Sequence, residues 1–163
     1  MTENDTLDGE AASASEIDSF EALVAQLEDE EISYTRAEEE TAVILPTKLG
    51  EEKSYLHIRW EPTPGIVEFV QPLPFEVPDN RHWEVWKAIS EINFELPVLG
   101  FVFNPEDGVI SFRTQTYLGP EGIPLAFIGA LIQTSVKTAA QCIPQLKAAV
   151  FGGRAGSGGG QKR

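Results

Sequence analysis

Two histidines, one cysteine and several short acidic runs are the residues of this chain that could do chemistry. His57 and His82 are 25 positions apart and form no H-x-x-x-H pair. A metal site needs several convergent ligands, so ordinary surface histidines are the simpler reading. The runs Glu28–Glu31 and Glu38–Glu40 lack the D-x-D-x-D-G spacing of a calcium loop and read as solvated charge at element ends. Cys142 precedes Ile143 and Pro144 in an apolar stretch. A reactive thiol needs nearby positive charge or a helix N-terminus, so Cys142 reads as a buried structural residue. There is no G-x-S-x-G elbow, and the Gly-rich tail leads into no helix that could hold a phosphate. Neither catalytic residues nor a cofactor or metal site can be named from the sequence. What remains are the aromatics. Trp83 and Trp86 are three apart, hence neighbours on a helix. Trp60, Trp83, Trp86 and Phe69 are the candidate contact residues. Core packing is the bland reading of all four, and an association surface rich in tryptophan is the functional one.

The 163 residues, 42% of them hydrophobic, suffice for one domain with a real core. The formal charge of −14 is unevenly placed. Residues 1–40 hold 14 of the 26 acidic groups and a single base, Arg36, while the remainder is nearly neutral. An acidic arm joined to a conventional domain follows. That balance argues against nucleic acid, which needs clustered Lys and Arg, and against an anionic membrane surface. One cysteine allows no internal disulfide. The first ten residues lack the basic and apolar regions of a secretory signal, and the longest apolar run is too short to cross a bilayer. A cytoplasmic protein is expected.

The elements that must position these residues are read from periodicity. Residues 1–15 are expected to be a disordered acidic arm, 16–152 a single domain and 153–163 a flexible tail. Ile17, Phe20, Leu23, Val24 and Leu27 predict a helix from about Glu16, capped by Ser15 or Asp18. Ile32–Ala37, Ala42–Thr47 and Ser54–Glu61 alternate as strands. Ile66–Val70 is a fourth strand or an extension of the third. Pro72, Pro74 and Pro78 argue against regular structure as far as Asp79. Asp79 or Asn80 can cap a second helix with an inner stripe of Val85, Ile89, Ile92 and Leu96, and Pro97 ends it. Trp83 is offset from that stripe. Val98–Phe103 and Val109–Thr116 form a hairpin around Asn104–Gly108, with Phe101 and Phe103 opposite Ile110 and Phe112. A last helix follows Pro124, with a kink or break at Pro144. The order is helix, three or four strands, helix, two strands, helix. This is α+β, with an antiparallel sheet and helices packed on one side.

Ile92-Asn93, Gly100-Phe101-Val102-Phe103, Glu106-Asp107-Gly108 and Ile110-Ser111-Phe112-Arg113 resemble the core of the YbjN-like bacterial domain family. Ala140–Leu146, leading to Gly152, resembles its closing helix. The resemblance spans roughly residues 16–152. It implies a fold like that of class I type III secretion chaperones, which are small, acidic, usually dimeric and non-enzymatic. It implies a regulator that binds a protein partner, as a homodimer, and it brings no catalytic residues. The expected mechanism is capture of a partner segment in a groove or along a sheet edge. Two alternatives stand beside it. One is a small-molecule sensor or enzyme with an apolar pocket near Trp60 and Phe69. The other is an accessory subunit bound through its tails.

Overall fold

A computed structural model describes residues 16–38, 41–63, 65–97 and 100–152. The expected arm 1–15 and tail 153–163, Glu39–Glu40 of the second acidic run, and Val98 and Leu99 of the expected hairpin strand lie outside the described residues. In chain order the elements are β1 (Glu16–Ile17), α1 (Phe20–Asp29), β2 (Thr35–Arg36), β3 (Ala42–Leu49), β4 (Glu52–Glu61) and β5 (Ile66–Glu76). A 3-10 turn (Asp79–Arg81) leads into α2 (His82–Glu95), followed by β6 (Phe101–Asn104), β7 (Val109–Tyr117), β8 (Ile123–Pro124) and α3 (Leu125–Phe151). The architecture is α+β.

Six strands make one antiparallel sheet in the order β2-β3-β4-β5-β7-β6. Its inner face is set by alternation. Val43 and Leu45, Leu56, Ile58 and Trp60, Val67 and Phe69, Phe101 and Phe103, and Ile110 and Phe112 are all buried. Two packed clusters cover that face. One joins α1 and the start of α3 to β3, β4 and β5; the other joins α2 and the end of α3 to β5, β6 and β7. Among the described residues no helix covers the opposite face of the sheet, so the period-two pattern separates core from solvent.

Several expectations from periodicity need correction. Glu16 and Ile17 pair with Pro124 and Ile123 instead of opening a helix, and α1 is capped by Ser19, whose Oγ accepts from the Ala22 N–H at 3.3 Å. Only Thr35–Arg36 of the stretch Ile32–Ala37 is strand. Neither Asp79 nor Asn80 caps α2, because both belong to the 3-10 turn that precedes it. The chain does not break at Pro144: α3 is one helix from Leu125 to Phe151. Ala139, Leu146 and Val150 sit in the same cluster on both sides of the proline, so packing holds the two halves together.

The largest departure is β5, which continues past Pro72 and Pro74 with a register shift against β7 between Pro72 and Glu76. The register explains how. The Arg113 N–H donates to Gly100 O, on the β6 side of β7. Alternation then turns the Phe112 N–H and its partner Gln71 toward each other, so Val70 and Pro72 turn their nitrogens toward β4. Pro74 lies in the register irregularity between Pro72 and Glu76, where a proline breaks no regular pair. The β4 ladder has ended by then, with His57 opposite Val70. The next pair would set Pro72 against Tyr55, and proline has no N–H to give. Gln71 supplies the missing donor from its side chain: Nε2 donates to Tyr55 O at 3.1 Å and to Ser54 Oγ at 2.8 Å. Ser54 Oγ donates to Pro72 O at 2.7 Å, and Thr47 Oγ1 donates to Gln71 Oε1 at 3.2 Å. Gln71 is wholly buried, which is affordable only because its amide is satisfied.

Candidate interaction surface

α2 has two faces. Val85, Ala88, Ile89 and Ile92 are buried against the sheet. On the other side Trp83 is 74% exposed, Trp86 46% and Phe94 91%. Trp83 and Phe94 are 11 residues apart, which is three turns and about 16 Å along one side of the helix. Trp86 is held at the flank. Its ring lies 5.7 Å from Phe103 and 6.0 Å from His82, edge to face in both cases. His82 in turn lies 4.9 Å from Phe103. This is not the surface histidine that the sequence suggests: Nε2 is buried, with no hydrogen-bond partner, 3.7 Å from Asp79 Oδ1. A fixed indole beside a free one is a pre-ordered apolar surface, which lowers the entropy cost of association.

Of the four candidate aromatics, the fold brings together only Trp83 and Trp86. Trp60 is 3% exposed and Phe69 fully buried, both inside the cluster under α1. They are core residues and offer nothing to a partner. Nor do they line the described hollows, the larger of which lie at Pro46–Lys48 with Lys53–Tyr55 (about 390 Å³) and at Pro72–Glu76 with Val109 (about 420 Å³). Phe94 is the contact candidate that the sequence reading passed over. Its spacing from Trp83 was the available signal, since 11 residues return to the same side of a helix.

Among the described residues, no group of His, Cys, Asp or Glu could hold a metal ion. Cys142 is half-buried, and burial alone pushes its thiol pKa up, away from the reactive range. His57 lies on the outer face of β4, across from Ile44 and Val70. No helix among the described residues is long and apolar enough to cross a membrane.

Both edges of the sheet are partly guarded. At the β6 edge, Asn93 Nδ2 donates to Phe101 O at 2.9 Å, and the Phe101 N–H donates to Asn93 Oδ1 at 2.7 Å. One side-chain amide thus stands in for a neighbouring strand. Gly100 makes room for it: a Cβ there would lie 2.5 Å from Asn93 Cγ and closer still to Oδ1. At the other edge, β2 covers β3 only at Val43 and Ile44. The Ala37 N–H bonds Ala42 O, so Ala42, Ile44, Pro46 and Lys48 turn their backbone groups outward. Proline and lysine at the uncovered positions are what blunts an edge against further pairing.

This chain belongs to the YbjN family: the family model, described as "Putative bacterial sensory transduction regulator", matches residues 19–148. The fold is similar to the crystal structure of YbjN from E. coli, described as a putative transcription regulator, with a TM-score of 0.61. The match covers 82% of this chain and 94% of that one at 13% identity. No curated protein matches in sequence.

Proposed function

We propose that this member of the YbjN family is a non-catalytic regulator in the cytoplasm that works by binding protein, and that it forms a homodimer through the outer face of α2. The observation that carries the reading is the exposure of Trp83 and Phe94 on a helix whose other side is fully committed to the core. Large aromatics in one exposed row are the usual anchors of an interface. Capture of a partner strand along a sheet edge is less favoured, because Asn93 occupies one edge and Pro46 and Lys48 blunt the other.

The distribution of bases supports protein rather than nucleic acid as the partner. Arg36 pairs with Glu21, Arg59 and Arg113 with Glu68, Lys87 with Glu91, and Lys147 with Glu52. Arginines and lysines already matched to carboxylates form no phosphate-binding stripe.

Sedimentation equilibrium at about tens of micromolar tests the reading, since a dimer with a Kd of about 1 μM or tighter is well populated there. The wild type should be a dimer and the double variant Trp83→Ala/Trp86→Ala a monomer with an unchanged far-UV circular dichroism spectrum. Trp83→Ala alone, at an exposed site, controls for loss of the Trp86 packing. A wild type that stays monomeric, or a double variant that stays dimeric, overturns the reading.

A further inference from the structure

We infer that two copies pair their α2 helices antiparallel, about a twofold axis passing between Ala88 and Ile89. The inference rests on the homodimer reading and adds its geometry. The exposed stripe is Trp83, Lys87, Ser90 and Phe94, spaced four, three and four residues apart. That spacing is the same read in either direction. Antiparallel apposition therefore sets Trp83 against Phe94 of the second copy, and Lys87 against Ser90. The small Ser90 at the centre lets the axes approach, as interhelical packing at about 8–10 Å requires.

The flanks support the same register. A twofold axis perpendicular to both helices keeps each flank on its own side. On one flank Lys87 and Glu91 are exposed, 68% and 60% by side chain, and form an intrahelical pair at 3.9 Å. With about 1.5 Å of rise per residue, Lys87 of one copy and Glu91 of the other fall within about 2 Å of each other along the axis. Charges along that flank then run Glu, Lys, Lys, Glu, each lysine beside a carboxylate of both copies. The opposite flank receives Trp86 from each copy, already braced by Phe103. A parallel pairing would instead set Trp83 beside Trp83, Lys87 beside Lys87 and Glu91 beside Glu91, with like charges opposed. Self-complementarity in shape and in charge identifies a second copy of this chain as the occupant.

Charge reversal tests the register. Lys87→Glu makes the flank wholly negative in its own dimer, and Glu91→Lys makes it wholly positive. Each variant alone should raise the dimer Kd about tenfold at about 0.15 M salt, where more distant charges are screened. An equimolar mixture should return to within about threefold of wild type, because in the mixed dimer every charge again lies beside an opposite charge of the other copy. Weakening by Glu91→Lys is the discriminating result, since it lowers the net negative charge of the chain and should otherwise help association. If wild type dimerises, and Phe94→Ala weakens the dimer, but the reversals change nothing or the mixture stays as weak as its components, the register is wrong while the dimer stands. A monomeric wild type removes both.

Discussion

The link between Asn93 and Gly100 makes the sharpest demand on the fold. Asn93→Ala deletes two hydrogen bonds, of 2.7 and 2.9 Å, to the Phe101 backbone. Each is worth about 0.5–1.5 kcal/mol net, so the expected loss is ~1–3 kcal/mol. Gly100→Ala should cost at least as much by a different route. The new methyl group overlaps the Asn93 carboxamide, which must swing away and surrender the same two bonds. In the Asn93→Ala background that clash is gone, and Gly100→Ala should cost under ~1 kcal/mol. The two substitutions should therefore be strongly non-additive, with a coupling of ~1–3 kcal/mol, the range seen for residues in contact. Urea titration followed by far-UV circular dichroism on the wild type, both single variants and the double variant gives the cycle. Amide exchange at Phe101 supplies a local readout: protection should fall in both single variants, while the Leu56 amide in the central strand stays protected. Additivity within about 0.5 kcal/mol would refute the claim that Gly100 is there to admit Asn93.

Three further outcomes follow from groups whose surroundings are well defined. Gln71→Leu keeps the volume but leaves Tyr55 O without the donor that Pro72 cannot provide, and should cost ~1–3 kcal/mol in urea unfolding; a neutral result would mean that water fills the gap. Arg81 spans from the start of α2 to the end of α3, with Nε and Nη2 donating to Ala149 O at 3.0 and 2.5 Å and Nη2 to Gly152 O at 2.8 Å. Arg81→Ala should lose ~2–3 kcal/mol, and Arg81→Lys should recover only part of it, because one ammonium cannot reproduce the fork; full recovery by Arg81→Lys would show that the fork geometry plays no part. Burial raises the Cys142 pKa, so its alkylation by iodoacetamide should be slower than that of a free thiol at neutral pH and accelerate only above the ordinary thiol range near ~8.5. Because the folded state holds the proton more tightly, this group's contribution to stability is fully present below the unfolded pKa and is lost as pH rises through the folded one. Thiol modification at the free rate would contradict the burial.

Much of the fold is written in period. Strands β4 and β7 alternate cleanly, and the α2 stripe and the 104–108 hairpin follow from local rules: Gly108 takes φ of +72° and Asp107 Oδ1 accepts from the Val109 N–H at 2.9 Å. What period could not give are features that depend on partners far along the chain. The two-residue strands β1 and β8 exist only because they meet each other. Pro72 and Pro74 argue locally against a strand; the end of the β4 ladder makes the missing N–H of Pro72 harmless, and Pro74 falls in the register irregularity against β7. Gln71 gave no signal at all, being one polar residue among apolar ones. Trp60 and Phe69 were misplaced for a related reason. An aromatic on the apolar side of a strand looks the same in sequence whether a helix or another protein covers it, and here α1 does. Trp83 differs because its offset from the Val85–Ile89–Ile92 stripe sets it apart on the helix itself.

The division of labour within α2 bears on how a family can keep its fold and vary its partners. Asn93 and Gly100, two of the residues on which the family resemblance rests, act at the seam between α2 and the sheet edge, where they satisfy backbone groups that no strand reaches. Trp83, Lys87, Ser90 and Phe94 lie on the far side of the same helix and touch none of that machinery. Phe94 directly follows Asn93, yet a step of about 100° around the helix carries it from the edge-guarding face to the solvent. Closing the edge also has a consequence for association. A sheet edge pairs through backbone groups that every sequence has, so an open one would accept many partners. With Asn93 bonded at one edge and Pro46 and Lys48 at the other, the proposed protein binding would fall to side chains, where spacing and charge discriminate. On the proposed reading, Asn93 thus also hinders the least selective way of binding, and the aromatic face of α2 is the surface on which specificity would be built.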